Sequence, residues 1–139
     1  MIRFVLDASV ALRWFLEDPV PEYAARVKRM FLDGHRALVP MVWNLEIANA
    51  LANSARKGVV PPEDLDDHLL QIENLLIRHI ESQMECISIR RAFTMARTFG
   101  LTAYDAAYLD LAQSEKLPLC TLDAQLRKAA ERAGVELVR

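Results

Sequence analysis

The sequence predicts a three-layer α/β/α domain built on a parallel sheet, and two patterns carry that prediction. Short apolar runs without alternation, such as Ile2, Phe4, Val5 and Leu6, suit strands buried on both faces. Longer stretches of helical periodicity lie between them. Strands alternating with helices imply right-handed crossovers and a sheet covered on both sides. The 139 residues suffice for one domain with its own core, spanning 1–139. No internal repeat, low-complexity segment or linker divides it.

Taken in order, the first strand stops at Asp7, after which Val10, Ala11, Leu12, Trp14, Phe15 and Leu16 run as a helix until Asp18-Pro19-Val20-Pro21 breaks it. Tyr23, Val27, Met30 and Phe31 stand at helical spacing, and Gly34 closes that helix. Ala37 to Pro40 reads as a strand. Residues 41–57 read as a helix whose apolar side is Leu45, Ala48, Leu51, Ala52 and Ala55. Pro61, Pro62, Glu63 and Asp64 open another helix, with prolines and acids at its positive end. Leu65, Leu69, Ile72, Leu76 and Ile80 form its stripe. Cys86-Ile87-Ser88 reads as a strand, and Ser88 as the cap of a helix burying Ala92, Phe93, Ala96 and Phe99 and ending at Gly100. Thr102 to Glu115 is a further helix, Leu117 to Thr121 a strand, Leu122 to Ala133 a helix closed by Gly134, and 135–138 a last strand.

Composition excludes several classes. A hydrophobic share of 53% with 26% charged residues describes a soluble globular chain. No apolar run approaches the roughly 20 residues needed to span a bilayer, so no membrane role is expected. The first residues lack the pattern of a signal peptide, because Asp7 interrupts the apolar run. Cys86 and Cys120, each expected inside a buried strand without metal-type neighbours, fit free thiols in a reducing cytoplasm. With 19 acids against 17 bases, the net charge of −2 gives no support to a general nucleic-acid coat.

Ligands of parallel sheets gather beyond the carboxyl ends of the strands, and four acids stand there: Asp7, Glu46, Asp105 and Asp123. Each has a plain structural explanation. Thr102-Ala103-Tyr104-Asp105 matches a capping box. Asp7 and Asp123 suit helix amino-terminal ends, worth about 0.3–1 kcal/mol each. Glu46 is the informative member, because it shares its helix with Trp43, Leu45, Ile47 and Leu51, where an unpaired acid is expensive. Converging carboxylates repel, and a divalent cation removes that penalty. All-oxygen ligands select magnesium or manganese. Without an HExxH motif, and with His35, His68 and His79 scattered, a zinc site is not expected. Ser9 and Thr121 stand two residues from Asp7 and Asp123, either as turn residues or as hydroxyls orienting a carboxylate. Asn49 and Asn53 are pocket-wall residues or packing and solvent contacts on this reading, and Trp14 and Trp43 are packing or base-stacking residues. Asp110 belongs to a solvated helix face.

Four blocks together resemble the PIN-domain ribonucleases, specifically the VapC toxins of type II toxin–antitoxin pairs: Phe4 to Val10, Pro40 to Leu51, Leu101 to Leu109 and Leu117 to Leu126. The family's acidic quartet maps onto Asp7, Glu46, Asp105 and Asp123, and its hydroxyl positions onto Ser9 and Thr121. The resemblance implies a five-stranded parallel sheet, dependence on Mg2+ or Mn2+, a homodimer, and inhibition by a small cognate antitoxin. It also implies an RNA substrate cut by hydrolysis, with Asp7, Glu46 and Asp105 holding metal and Asp123 holding a second metal or orienting the water. An acidic pocket needs rim bases to guide RNA. Arg13, Arg56, Lys57, Arg97 and Arg127 are the candidates, each with the alternative of an ordinary solvated face. Two other readings compete. A phosphatase of the haloacid dehalogenase type also begins with a strand ending in Asp, but wants a second Asp where this chain has Ser9. A non-catalytic RNA- or antitoxin-binding module would keep metal for structure alone.

Overall fold

The computed structural model describes residues 2–139. Four strands make one parallel sheet in the order β3-β2-β1-β4: β1 Arg3–Leu6, β2 Arg36–Val39, β3 Ile80–Ser82 and β4 Leu119–Cys120. Seven helices surround it: α1 Ala8–Leu16, α2 Glu22–Met30, α3 Val42–Arg56, α4 Pro62–Arg78, α5 Ile89–Phe99, α6 Ala103–Glu115 and α7 Ala124–Arg132, with a short 3-10 turn at Phe31–Asp33. The three-layer α/β/α class is the one predicted. The sheet has four strands where five were expected. The segment at 135–138 lies beside β4 but is reduced to a single parallel bridge, Leu119 to Leu137.

The central strands explain themselves. Phe4, Val5 and Leu6 are wholly buried, as are Val39, Leu119 and Cys120, because helices cover both faces. Ser88 and Thr102 cap α5 and α6, their hydroxyls accepting the amides of Arg91 and Asp105. Gly100 takes a φ of 65°, which glycine tolerates, and ends α5.

Four local expectations were wrong, each for a physical reason. Cys86-Ile87-Ser88 is a connecting segment, and the third strand is Ile80–Ser82. Ile80 was hidden because it continues the spacing of the α4 stripe, although α4 stops at Arg78. Cys86 is accordingly exposed, near the Met41 thioether, while Cys120 is buried. On α3 the buried side is Trp43, Ile47 and Leu51, whereas Leu45 is 72% exposed. A run of alanines gave the periodicity no large side chain to fix its phase. On α5 the chain buries Met95 and turns Phe93 outward.

Candidate active site

The site grows from the junction of β1 and β4. Their ladder continues one step past the strands, with the Asp7 amide donating to the Cys120 carbonyl at 2.9 Å. Asp7 and Thr121, each the residue after its strand, are thereby brought together. Asp7 is 4% exposed and Thr121 0%, and among the described residues they are the buried polar side chains. The Thr121 hydroxyl donates to Asp7 Oδ2 at 2.6 Å and the Ser9 hydroxyl to the same oxygen at 2.7 Å. Asp7 occupies the N-cap position of α1 but makes no side-chain cap hydrogen bond. Helix capping therefore does not account for it.

Both hydroxyls are aimed. Ser9 Oγ accepts the Leu122 amide at 3.1 Å, and Thr121 Oγ1 accepts the Asp123 amide at 3.0 Å. A hydroxyl has one proton, so an amide on its lone pair leaves that proton free for the carboxylate. Asp7 Oδ1 receives no side-chain donor among the described residues. Both hydroxyls therefore fix the same oxygen of the carboxylate.

Asp123 begins α7 and does serve as a cap, with Oδ1 accepting the Leu126 amide at 2.8 Å. Asp105 lies in the first turn of α6, its amide taken by Thr102 Oγ1 at 3.1 Å. No return bond from its carboxylate to the Thr102 amide is present among the described residues, so the capping box is half made. Glu46, on the second turn of α3, accepts the Tyr108 hydroxyl on Oε1 at 2.6 Å. Tyr108 is wholly buried on α6. Local pattern does not reveal this partner, since an aromatic at helical spacing reads simply as core.

The acids feel one another. Burial pushes the Asp7 carboxyl above the ordinary carboxylate range, the Thr121 and Ser9 donors work against this, and the Asp123 charge adds to it. Burial likewise raises Glu46; the Tyr108 hydroxyl opposes, and the charges of Asp7 and Asp105 add. Asp105 is pushed up to about 6, by burial first and then by Asp7 and Asp123. The four predicted acids thus share one electrostatic neighbourhood at the carboxyl edge of the sheet.

The donor set fits a hard divalent cation: it is carboxylate oxygen throughout, with one Asp7 oxygen free of side-chain donors and a repulsion that positive charge would relieve. Among the described residues no group of three or more acidic, His or Cys side chains is arranged to hold a metal ion by itself. Magnesium does not ask for one, because it keeps several waters and usually takes one or two carboxylates together with substrate phosphate.

Around the acids, two of the predicted rim bases are tied to the site. Arg13 Nε donates to the Ser9 carbonyl at 3.3 Å and its Nη1 pairs with Glu17 at 2.6 Å. Arg127 Nη1 donates to the Thr121 carbonyl at 2.6 Å, and its guanidinium lies over the Tyr23 ring. Arg56 and Lys57 stand at the carboxyl end of α3, ten and eleven residues and so roughly 15 Å along the axis from Glu46. Arg97 is exposed in the last turn of α5. Asn49 is exposed, and Asn53 accepts a bond from Arg56. Trp14 and Trp43 are core residues, Trp14 donating to the Ala24 carbonyl at 2.8 Å. Asp110 departs from its predicted solvated role: its side chain is only 17% exposed and pairs with Arg91.

Acids gathered from separate segments onto one end of a parallel three-layer sheet define the PIN domain, and the family's model matches residues 4–132; the chain belongs to the PIN-domain family. Among curated relatives, it is 29% identical over 126 residues to Ribonuclease VapC3 from Pyrobaculum aerophilum, covering 90% of this chain and 92% of that one. The fold is shared with the crystal structure of PAE2754 from Pyrobaculum aerophilum, at a TM-score of 0.69 and 23% identity over 91% of this chain and 84% of that one. It is shared as well with VapBC2 from Rickettsia felis, solved bound to a DNA fragment from their promoter, at a TM-score of 0.62 and 14% identity over 99% and 98% of the two chains. No helix among the described residues is long and apolar enough to cross a membrane.

Proposed function

We propose that the protein is an endoribonuclease that hydrolyses RNA with Mg2+ or Mn2+ held by Asp7, Glu46, Asp105 and Asp123. One observation carries the reading: a carboxylate buried to 4% exposure is gripped on one oxygen by two aimed hydroxyls and surrounded by three further acids. A plain structural aspartate has no use for such neighbours. The likeness to Ribonuclease VapC3 supports the choice of RNA as substrate.

A bound divalent cation would polarise the phosphodiester and supply a nucleophile from water at neutral pH. The chain's own groups do the rest. Ser9 and Thr121 hold the Asp7 carboxylate in one orientation. Asp123 is fixed by its cap bond, Oδ1 accepting the Leu126 amide. Arg13 and Arg127, anchored to the Ser9 and Thr121 carbonyls, place positive charge beside the pocket for the RNA backbone. Lys57, Arg56 and Arg97 are the more distant candidates for such contacts.

As a VapC-type toxin the protein would work in the cytoplasm, as a homodimer, held inactive by a cognate antitoxin protein. The test is a cleavage assay on structured RNA using antitoxin-free protein, with Mg2+, with Mn2+ and with chelator. Metal-dependent internal cuts that Asp105→Asn abolishes are expected. Cutting by Asp105→Asn at the parent rate would refute the site.

A further inference from the structure

Among the described residues, Tyr108 is the buried titratable side chain that hydrogen-bonds one of the acids and that the proposed chemistry leaves without a task. Its phenol is 0% exposed, yet its hydroxyl donates to Glu46 Oε1 at 2.6 Å, sixty-two positions away in sequence. Glu46 is only half-buried. Water could have met its needs, so the bond is not required to satisfy that carboxylate. The phenol does need a partner, and the one it has is an acid of the site. Helix α6 itself packs against β1, the strand that leads to Asp7. One side chain on α6 therefore links that packed helix to α3, which carries Glu46.

That placement has a geometric consequence. Glu46 is carried on a helix, where side-chain torsions leave a carboxylate free to swing, whereas Asp7 is clamped by Ser9 and Thr121. Fixing Oε1 removes that freedom and leaves Oε2 without a side-chain hydrogen bond among the described residues. Resting on the metal-site reading above, we propose that Tyr108 is a positioning residue that sets the Glu46 carboxylate relative to Asp7 for cation binding. It touches neither RNA nor cation. Groups that orient a metal-binding side chain in this way typically contribute about 10–100-fold in metal affinity or activity.

The probe is Mn2+, followed by the loss of the free-ion paramagnetic signal on titration, with RNA cleavage measured in parallel against Mn2+ concentration. Tyr108→Phe keeps the ring and removes the hydroxyl. The variant is expected to bind Mn2+ about tenfold more weakly, and its cleavage deficit is expected to shrink as Mn2+ approaches saturation. In a Glu46→Ala background the same substitution is expected to change Mn2+ affinity less than twofold. This coupling is read from a difference between backgrounds, so it survives a general loss of stability in Tyr108→Phe. Undiminished Mn2+ affinity in Tyr108→Phe, or an equal loss in both backgrounds, would overturn the proposal. Asp7→Asn separates the two levels. If it abolishes Mn2+ binding while Tyr108→Phe leaves binding intact, only the positioning role falls. If Asp7→Asn binds Mn2+ like the parent, the metal site and the role built on it fall together.

Discussion

The two halves of the acidic pocket are built on different principles. On the strand side, Asp7 is almost fully buried and held by hydroxyls whose own lone pairs are occupied by backbone amides. On the helix side, Glu46 and Asp105 are half-buried and have one hydrogen-bonded anchor each, a phenol for the first carboxylate and a backbone cap for the second residue's amide. The first half is rigid because the parallel ladder of β1 and β4 fixes where Asp7 and Thr121 emerge. The second takes its position from helix packing, which tolerates more movement. A site made this way keeps one ligand in place and lets the others adjust around it, which suits a cation that completes its shell with water and phosphate.

The sharpest way to break that comparison is to remove the fixed ligand. Asp7→Asn keeps the shape and the hydroxyl partners but loses the charge, and RNA cleavage is expected to fall by about a thousandfold or more. The same variant is expected to melt higher than the metal-free parent, because burial and the Asp123 charge both oppose the ionised Asp7. A melting scan with chelator checks this, and a lower melting temperature would show that the two hydroxyl bonds outweigh the cost of burying the charge.

Loosening the clamp comes next in size. Thr121→Val removes one of two donors to a buried carboxylate, which costs about 1–3 kcal/mol of stability and about 10–100-fold in metal affinity or activity. Denaturant melts and Mn2+ titration measure the two effects. Thr121→Ser is expected to restore most of both.

The helix side is distinguished by pH. The folded-state pKa of Asp105, about 6, lies above its ordinary 3.8. Its carboxyl therefore favours the folded state below pH about 4, and that contribution is lost as pH rises through about 6. Metal-free Asp105→Asn should melt a few degrees above the parent at pH 7.5, with the gap closing near pH 4. A gap independent of pH would mean that Asp105 is not held out of water among like charges.

The smallest effect is expected at the rim. Arg127→Ala should weaken RNA binding several-fold and steepen no metal dependence, while Arg56→Ala, at the far end of α3, should stay within twofold. Filter binding at fixed salt distinguishes them.

Much of this was legible in the chain itself. The strand-ending Asp7, the helix-opening Asp105 and Asp123 and the hydroxyls beside them announce their places through turn chemistry, which is local. Glu46 stood out as an acid in an apolar helix. What escaped was decided by contacts distant in sequence. Tyr108 looks like any core aromatic until α3 is laid beside α6. Ile80 sits in phase with the stripe of α4, so β3 was invisible beside a helix pattern stronger than its own three residues. Cys86-Ile87-Ser88 has strand-forming side chains but no neighbouring strand to pair with. The last segment contributes one bridge where a full fifth strand was expected, because its pairing with β4 is limited by a strand only two residues long.

Anomalous scattering from crystals soaked in Mn2+ tests the central claim most directly. A peak is predicted beyond the carboxyl ends of β1 and β4, with Asp7 Oδ1 at roughly 2.0–2.3 Å and oxygens of Glu46, Asp105 or Asp123 completing the protein's share. The peak should vanish in Asp7→Asn crystals. No peak in this pocket at saturating Mn2+, with the protein still cutting RNA, would contradict the account.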